Sequence, residues 1–182
     1  MEQELPVIRT ERLVLRPFDL SDAADVRRLA SDRAVASTTL NIPHPYPNGA
    51  AEQWIGNHVG RYENREIMTL AVTLRASGEL AGCISLRLND LHSRAELGYW
   101  MGVPYWNQGY CSEAARALVG YGFEQLGLNR IYAHHLTRNP ASGRVMQKAG
   151  MVYEGTQRQH VQKWDRFEDL AAYGILRSDY EP

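Results

Sequence analysis

Residues 68–88 carry the pattern that most constrains the fold of this chain. Hydrophobic residues dominate every second position from Met68 to Leu74 and again from Leu80 to Leu88, and the turn sequence ASGE separates the two runs. A period of two places successive side chains on opposite faces of a strand. Two such runs joined by a short turn predict an antiparallel hairpin. The chain therefore builds a sheet with a hydrophobic face that other elements must cover.

The segments around this hairpin predict an α/β (α+β) fold, with a mixed, mostly antiparallel sheet of seven strands and about four helices. The strand–helix–strand unit at 95–136 predicts two parallel strands, because such crossovers are right-handed. Ser21 is expected to cap the first helix, Asn139 and Pro140 to begin the last, and Gly150 to end it. The proline-rich stretch 41–49 is predicted to be a loop. The predicted helices are 21–30, 54–62, 112–127 and 139–150. The predicted strands are 12–18, 68–74, 80–88, 95–103, 130–136, 151–158 and 168–176.

Composition indicates an ordinary globular protein. The length of 182 residues suits one domain, taken as residues 1–182, and the formal net charge of -1 disfavours electrostatic capture of nucleic acid or of a membrane surface. The first residues lack a signal-peptide pattern, and Cys83 and Cys111 form no CxxC motif, so a reduced cytoplasmic protein is expected. No metal is expected, since the histidines lack ligand spacing and His134 and His135 would point to opposite strand faces.

The stretch WNQGYCSEA, residues 106–114, joins a predicted strand to a predicted helix. A helix N-terminus exposes unpaired N–H groups at the positive end of its dipole, and it can bind phosphate without a basic side chain. Gly109 and the small residues after it would let a ligand approach the amides of residues 108–112. A plain strand-to-helix turn has the same local pattern, so these residues alone leave both interpretations open.

Two longer segments are more specific. The strings AELGYWMGVPYWNQGYCSEA (95–114) and NRIYAHHLTRNPASGRVMQKAGM (129–151) resemble the GCN5-related N-acetyltransferase (GNAT) superfamily, and its RimJ/RimL-like branch most closely. The superfamily signature Q/R-x-x-G-x-G/A matches at 106–111, with Trp106 in its first place and Cys111 in its last. Neither departure removes a backbone amide. The resemblance extends over nearly the whole chain and implies the GNAT fold, in which the fourth and fifth strands splay apart.

The resemblance also implies acetyl-CoA as cosubstrate and assigns residues to it. Its pantetheine would pair with the backbone of the fourth strand, its pyrophosphate would meet the amides at the helix start, and an asparagine would contact the pantetheine and CoA. A serine one turn into the last helix would protonate the leaving thiolate. The matching residues are Met101, Gly102 and Val103 for the pantetheine, Gln108, Gly109, Tyr110, Cys111 and Ser112 for the pyrophosphate, Asn139 for the contact, and Ser142 for the thiolate.

Three side chains are candidates for moving protons. Glu96 is the first candidate for the base, because many relatives carry a glutamate there, although a charged residue on a solvated strand face fits equally. His160 is the second, at a place where RimL-like relatives can carry a glutamate, and an exposed surface histidine is the alternative. Ser142 is the candidate acid, since Met146 stands where many relatives have a tyrosine. An acyl intermediate on Cys111 is disfavoured, because direct transfer is the family mechanism.

The acceptor is expected between the loop 41–48 and the last hairpin, about 158–167, where His44, Tyr46 and Trp164 are the candidate substrate-binding residues. No acidic cluster marks these segments, which disfavours polycationic acceptors. The expected activity is acetylation of a primary amine, with the α-amine of a protein or peptide N-terminus as the best candidate. The alternatives are a small amine (a polyamine, an amino acid or an antibiotic) or an inactive CoA-binding sensor module. Either a monomer or a homodimer is compatible with the sequence.

Overall fold

The computed structural model describes residues 4–181, and one mixed sheet of eight strands forms its centre. The order across the sheet is β1-β2-β3-β4-β5-β6-β8-β7, and every neighbouring pair is antiparallel except β5 and β6, which run parallel as predicted. The strands are β1 (Ile8–Arg9), β2 (Leu13–Arg16), β3 (Ile67–Leu74), β4 (Leu80–Asn89), β5 (Arg94–Met101), β6 (Arg130–Leu136), β7 (Val152–Lys163) and β8 (Arg166–Leu176).

Helices cover both faces of this sheet. Leu70 and Ile84 point to the face where α5 contributes Leu118 to a continuous core. Ala71, which follows Leu70 on β3, instead joins a second cluster with Val26 of α1, so the predicted alternation is confirmed. The α-helices in the described chain are α1 (Ala23–Ala30), α2 (Arg33–Thr38), α3 (Ala50–Gly56), α4 (His58–Glu63), α5 (Tyr110–Glu124) and α6 (Pro140–Lys148).

The fold class is confirmed, and several local predictions need correction. The sheet has eight strands rather than seven, because the short β1 pairs with β2. Helix α2 was not predicted, and the predicted helix 54–62 is two helices that meet at Asn57. Ser21 is not a helix cap, because Asp19 caps a short 3-10 turn that precedes α1. Asn139 does stand at the start of α6, but its side chain makes no capping hydrogen bond.

The fourth and fifth predicted strands, now β5 and β6, separate after a short paired region. Their parallel register covers only Arg94↔Arg130, Ala95↔Ile131 and Glu96↔Tyr132. Beyond these pairs β5 stays with β4 as far as Met101, whereas β6 stays with β8 as far as Leu136. The predicted splay is therefore present, and it leaves a gap in the middle of the sheet with the starts of α5 and α6 beside it.

Candidate functional site

Two cavities meet at the gap between β5 and β6. The larger cavity, about 630 Å³, is lined by the loop 38–46, by α3 and α4, and by residues of β3 to β6. The smaller cavity, about 330 Å³, lies against the starts of α5 and α6. Five residues line both cavities, which joins them into one continuous site: Thr38, Thr39, Tyr99, Trp100 and Ser142.

Backbone amides at the start of α5 face the smaller cavity. Gly109 precedes the helix in a left-handed conformation, with φ 81°, and no side chain caps the helix start. Helix geometry leaves the N–H groups of Tyr110, Cys111 and Ser112 without acceptors inside the helix. Gly109, Cys111 and Ser112 line the cavity. Gln108 and Tyr110 do not line it, and the Gln108 side chain donates to the Pro104 carbonyl at 2.7 Å. The arrangement suits an anion such as a phosphate.

A distant segment holds this helix start in place. The turn before β2 brings Arg12 to α5, where its Nε lies 2.7 Å from Oε2 of Glu113 and its Nη1 donates to the Gln108 carbonyl at 2.9 Å. Thr10 donates to Oε1 of the same glutamate at 2.6 Å. Although burial opposes it, these hydrogen bonds lower the pKa of Glu113. An ionised carboxylate in the first helical turn also suits the helix dipole.

Two further cations reach the smaller cavity, and sequence reasoning missed both. Arg144 and Lys148 lie one turn apart on α6 and line the cavity together with Asn139. The spacing of four residues was a signal that could have placed them on one helix face. Because Asn139 makes no capping bond, its side-chain amide is available to a ligand. The cavity therefore combines helix-start amides, an amide side chain and cationic side chains.

The end of β5 offers fewer backbone groups than predicted. The Gly102 N–H is already bonded to the Ala81 carbonyl of β4 at 2.9 Å. The Met101 carbonyl accepts from the Trp106 indole N–H at 2.7 Å. Since bonding direction alternates along an antiparallel strand, the Met101 N–H points away from β4 and into the gap. Val103 is exposed and begins a short 3-10 turn. An extended ligand would thus find the Met101 N–H, but not the Gly102 N–H.

Tyr99 and Ser142 stand at the junction of the two cavities. The Tyr99 hydroxyl lies 2.9 Å from the Ser142 carbonyl oxygen and 2.8 Å from its Oγ. A carbonyl only accepts, so Tyr99 donates to it, and the Ser142 hydroxyl then donates to the Tyr99 oxygen. Burial raises the pKa of Tyr99, which keeps its hydroxyl protonated. The pair holds a serine hydroxyl at the gap with a protonated phenol beside it.

Cys111 lacks the properties of a nucleophile. Burial raises the pKa of its thiol to about 12, which opposes the lowering expected from a helix start. Burial raises the pKa of Cys83 as well, and both cysteines are free thiols. The thiolate is the reactive form of cysteine, and it is scarce at neutral pH in both places. Cys111 therefore fills a small-residue position in the turn.

We expect both thiols to react slowly with a disulfide reagent such as Ellman's reagent at pH 8 in the folded protein. The reason is the raised pKa of each thiol. Unfolding in guanidinium should release the full two equivalents that the sequence contains. One thiol that reacts at once in the folded protein, and that acetyl-CoA protects, would restore the acyl-cysteine hypothesis.

The floor of the larger cavity carries charges of both signs. Nδ1 of His134 lies 3.0 Å from Oε1 of Glu96, and Arg87 stands directly across from Glu96 on β4. Arg61 lines the same cavity and pairs with Glu66 at 3.0 Å. The lining within the described chain thus holds two arginines and one carboxylate. Glu96 is where the sequence placed it, on the strand face opposite Leu97, but its bond to His134 was not predicted.

Aromatic residues form the inner end of the larger cavity. Tyr46 and Trp54 line it, together with the buried His58. The His58 ring lies 4.4 Å from the Trp54 ring and 5.3 Å from the Phe18 ring, measured between centroids. Neither His58 nitrogen has a hydrogen-bond partner among the described residues. Burial lowers the pKa of His58 to about 4, so this wall is uncharged at neutral pH.

Three of the predicted catalytic and substrate-binding residues lie outside both cavities. His160 is exposed on β7, where the register with β8 is irregular, and it lines neither cavity. His44 and Trp164 are exposed too, with their rings 6.5 Å apart. The neighbour of Trp164, Lys163, is buried and donates to the carbonyls of Leu40 and Ile42, each at 3.2 Å. The last hairpin thus anchors the loop that lines the larger cavity.

Comparison with known proteins decides the family. The family described as the Acetyltransferase (GNAT) domain matches residues 12–152. The chain belongs to the GNAT acetyltransferase family. The expected acetyl-CoA-dependent N-acetyltransferase is confirmed at this level, and so is the resemblance to the RimJ/RimL-like branch. In the GNAT fold of this chain, the motif at 106–111 is the turn that leads into α5.

Relatives and solved structures agree with this assignment. YoaA of Bacillus subtilis, named as an uncharacterized N-acetyltransferase, is 31% identical over 173 residues, 94% of this chain and 97% of that protein. The ribosomal-protein-serine acetyltransferase of Escherichia coli is 32% identical over 99 residues, 54% of this chain and 55% of that protein. A GNAT-family acetyltransferase from Bacillus anthracis superposes with a TM-score of 0.85 at 28% identity, covering 95% of this chain and 99% of that one. RimL, a ribosomal L7/L12 α-N-protein acetyltransferase solved with coenzyme A, has a TM-score of 0.86 at 17% identity, covering 94% and 98%, and this likeness shows the fold.

The described residues form neither a metal-binding cluster nor a membrane-spanning helix. Residues 4–181 contain no group of three or more histidine, cysteine or acidic side chains placed to hold a metal ion. Among the same residues, no helix is both long enough and apolar enough to span a bilayer.

Proposed function

We propose that this GNAT protein transfers the acetyl group of acetyl-CoA directly to a primary amine, and that the amine is the α-amino group of a protein or peptide N-terminus. The observation that carries the proposal is the junction of the two cavities at Tyr99 and Ser142. A cosubstrate in the smaller cavity and an acceptor in the larger one would meet at the gap. Direct transfer then needs no covalent intermediate on the protein.

The smaller cavity has the groups that coenzyme A requires. The amides at the start of α5 would bind its pyrophosphate, and Arg144 and Lys148 would supply positive charge to its phosphates. The N–H of Met101, which points away from β4, would pair with the pantetheine. The side chain of Asn139, which makes no capping hydrogen bond, would add another hydrogen bond. Acetyl-CoA brings the activated thioester, and the residues of this chain orient it.

The two sides of the gap would divide the proton transfers. On the smaller-cavity side, the Ser142 hydroxyl would turn from the Tyr99 oxygen to the leaving sulfur and give it a proton. On the larger-cavity side, Glu96 lies at the last paired position of β5, where the strands begin to separate. Placing reacting groups in one cleft supplies much of the rate enhancement for such a transfer. His160 is exposed and lines neither cavity, so it has no role in this proposal.

The charges of the larger cavity favour one class of acceptor. A polyamine or an aminoglycoside carries several positive charges, and among the described lining residues it would find Glu96 as the one carboxylate, opposite Arg87, with Arg61 already paired to Glu66. A peptide N-terminus carries one amine. Neutral or acidic side chains next to that amine in the peptide would not be repelled by the positive charge of Arg87. An α-amine has a reference pKa of about 8, against about 10.4 for lysine, so it is more easily deprotonated. A relative named ribosomal-protein-serine acetyltransferase supports a protein as the acceptor.

An acceptor screen tests this proposal. Release of the CoA thiol would be followed at pH 7.5 with matched peptides that have an acidic, a neutral or a basic second residue, and with spermidine, single amino acids and an aminoglycoside. We expect turnover with the peptides, fastest for the acidic ones, and at least about tenfold slower turnover with the polycations, from the charge argument. A preference for spermidine would overturn the acceptor assignment. CoA binding without any turnover would identify a sensor module instead.

A further inference from the structure

We propose that His134 is the group that takes the proton from the acceptor amine, and that Glu96 is the residue that positions it. The inference rests on the proposed acetyl transfer and goes beyond it, because it moves the base from the strand where relatives suggest it to the neighbouring strand. It depends on the place of the pair in the sheet, on the hydrogen bond between the two side chains, and on the chemistry which that bond imposes.

The pair stands at the apex of the gap. Glu96 belongs to the last residue pair that joins β5 to β6, and His134 lies two residues beyond its partner Tyr132. Residues two apart share a face, so the His134 ring reaches back across the opening of the gap to Glu96, with Nδ1 3.0 Å from Oε1. Both side chains line the larger cavity. The imidazole therefore lies where the larger cavity reaches the gap.

The hydrogen bond fixes which nitrogen is free. An ionised carboxylate only accepts, so Nδ1 of His134 must donate the proton in this bond. In the neutral ring, the lone pair then lies on Nε2. No described residue donates to Nε2. A partly buried imidazole with a free lone pair is a better match to an amine than a carboxylate already engaged in a hydrogen bond, since histidine side chains in general titrate closer to neutral pH.

Charges of both signs surround the ring. Glu96 faces it from β5, and the Tyr132 ring contacts it from β6 at 5.6 Å between centroids. The pKa of Glu154 on β7 is lowered first by its hydrogen bond to Arg130 and also by the charge of His134, so this second carboxylate acts on the ring as well. Arg87 on β4 opposes Glu96, and β8 contributes the uncharged Ala172 opposite His134. Each of these carboxylates has an arginine beside it, so the assignment depends on the hydrogen bond from Nδ1 to Glu96 and not on the net charge around the ring.

The proton balance closes without any further reactant. Nε2 of His134 removes one proton from the ammonium form of the acceptor, and Glu96 stabilises the imidazolium. The neutral amine attacks the thioester carbonyl carbon, so a C–N bond forms and the C–S bond breaks with its electron pair on sulfur. The second nitrogen proton goes to that sulfur, with the Ser142 hydroxyl as carrier. The products are the amide, the CoA thiol and one proton, which His134 returns to solvent.

The test compares His134→Gln and Glu96→Gln with His92→Gln, a substitution at an exposed histidine outside both cavities. For His134→Gln we expect kcat at pH 7 to fall about 100-fold. The difference in kcat from the wild type should become smaller toward pH 10, because the amine is then neutral without a base. Glu96→Gln should lower kcat by a smaller factor. The double variant should have the same kcat as His134→Gln. Acetyl-CoA affinity should stay the same in all of them, and His92→Gln should match the wild type.

Nitrogen NMR of the histidine-labelled protein gives a readout that does not depend on activity. In the neutral wild-type protein, the His134 ring should carry its proton on Nδ1, and in Glu96→Ala the more usual Nε2–H form should appear. Full activity of His134→Gln at pH 7 would overturn the assignment. A larger fall in kcat for Glu96→Gln than for His134→Gln would overturn it as well. A wild-type protein that acetylates no amine would defeat the proposed function instead, and the NMR result would still stand by itself.

Discussion

Replacing Gly109 by valine is expected to abolish acetyl-CoA binding while the protein stays folded. Gly109 has a φ of 81°, a left-handed conformation that costs an ordinary residue about 1–2 kcal/mol and a β-branched one more. A β-carbon there would lie 3.2 Å from Nη2 of Arg12, the side chain that holds this turn. The turn would have to rearrange, and the amides at the start of α5 would no longer converge. Isothermal titration with acetyl-CoA measures the loss.

Gly78 offers a matched control. It lies in the turn between β3 and β4 with a φ of 75°, and a β-carbon there would have no neighbour within 4 Å. Gly78→Val therefore introduces the same backbone strain at a position outside both cavities. We expect a similar loss of stability in thermal unfolding and an unchanged affinity for acetyl-CoA. If Gly109→Val also kept its affinity, the backbone amides of this turn would not bind the pyrophosphate.

The starts of α5 and α6 were predictable because local residues determine them. Pro140 fits the first turn of a helix, and Gly150 ends α6 with a φ of 86°. The change from a period of two to a helical period marks where β5 gives way to α5. The crossover rule then makes β5 and β6 parallel, which sets the two helix starts beside the gap. Each of these steps uses residues that are close in sequence.

The side chains that complete the site were not predictable in this way. Arg12 and Glu113 are 101 residues apart, and Lys163 is 123 residues from the loop carbonyl of Leu40. Such contacts depend on the final sheet order, which no local pattern specifies. His134 shows the same limit, because its sequence position excluded a metal pair with His135 but gave no sign of Glu96. Exposure is equally non-local, and for this reason His44, His160 and Trp164 looked suitable in the sequence.

The stability of the protein is expected to fall between pH 8 and pH 5 because of His58. Burial lowers the pKa of this histidine from 6.5 to about 4 in the folded state. As the pH falls below 6.5, the unfolded chain binds a proton that the folded chain does not, so unfolding becomes easier. These two values imply a loss of about 2 kcal/mol at pH 5, rising to about 3 kcal/mol once the pH is below 4.

His58→Phe should remove this dependence. Phenylalanine keeps an aromatic ring next to Phe18 and Trp54, and it eliminates two nitrogens that lack hydrogen-bond partners. Removing buried unpaired polar atoms is also expected to raise the free energy of unfolding at pH 8 by about 1 kcal/mol or more. Urea unfolding at pH 8, 6.5 and 5 measures both effects as the difference between the variant and the wild type.

The pH window and a second variant make this result specific to His58. Carboxylates with lowered pKa values, such as Asp22 and Glu154, affect stability mainly below pH 5, where they take up protons. His92→Phe replaces an exposed histidine and should leave the slope between pH 8 and 5 as in the wild type. If His58→Phe kept the wild-type slope, the His58 ring would have to be hydrated or paired in solution, and the wall that it forms in the larger cavity would be polar.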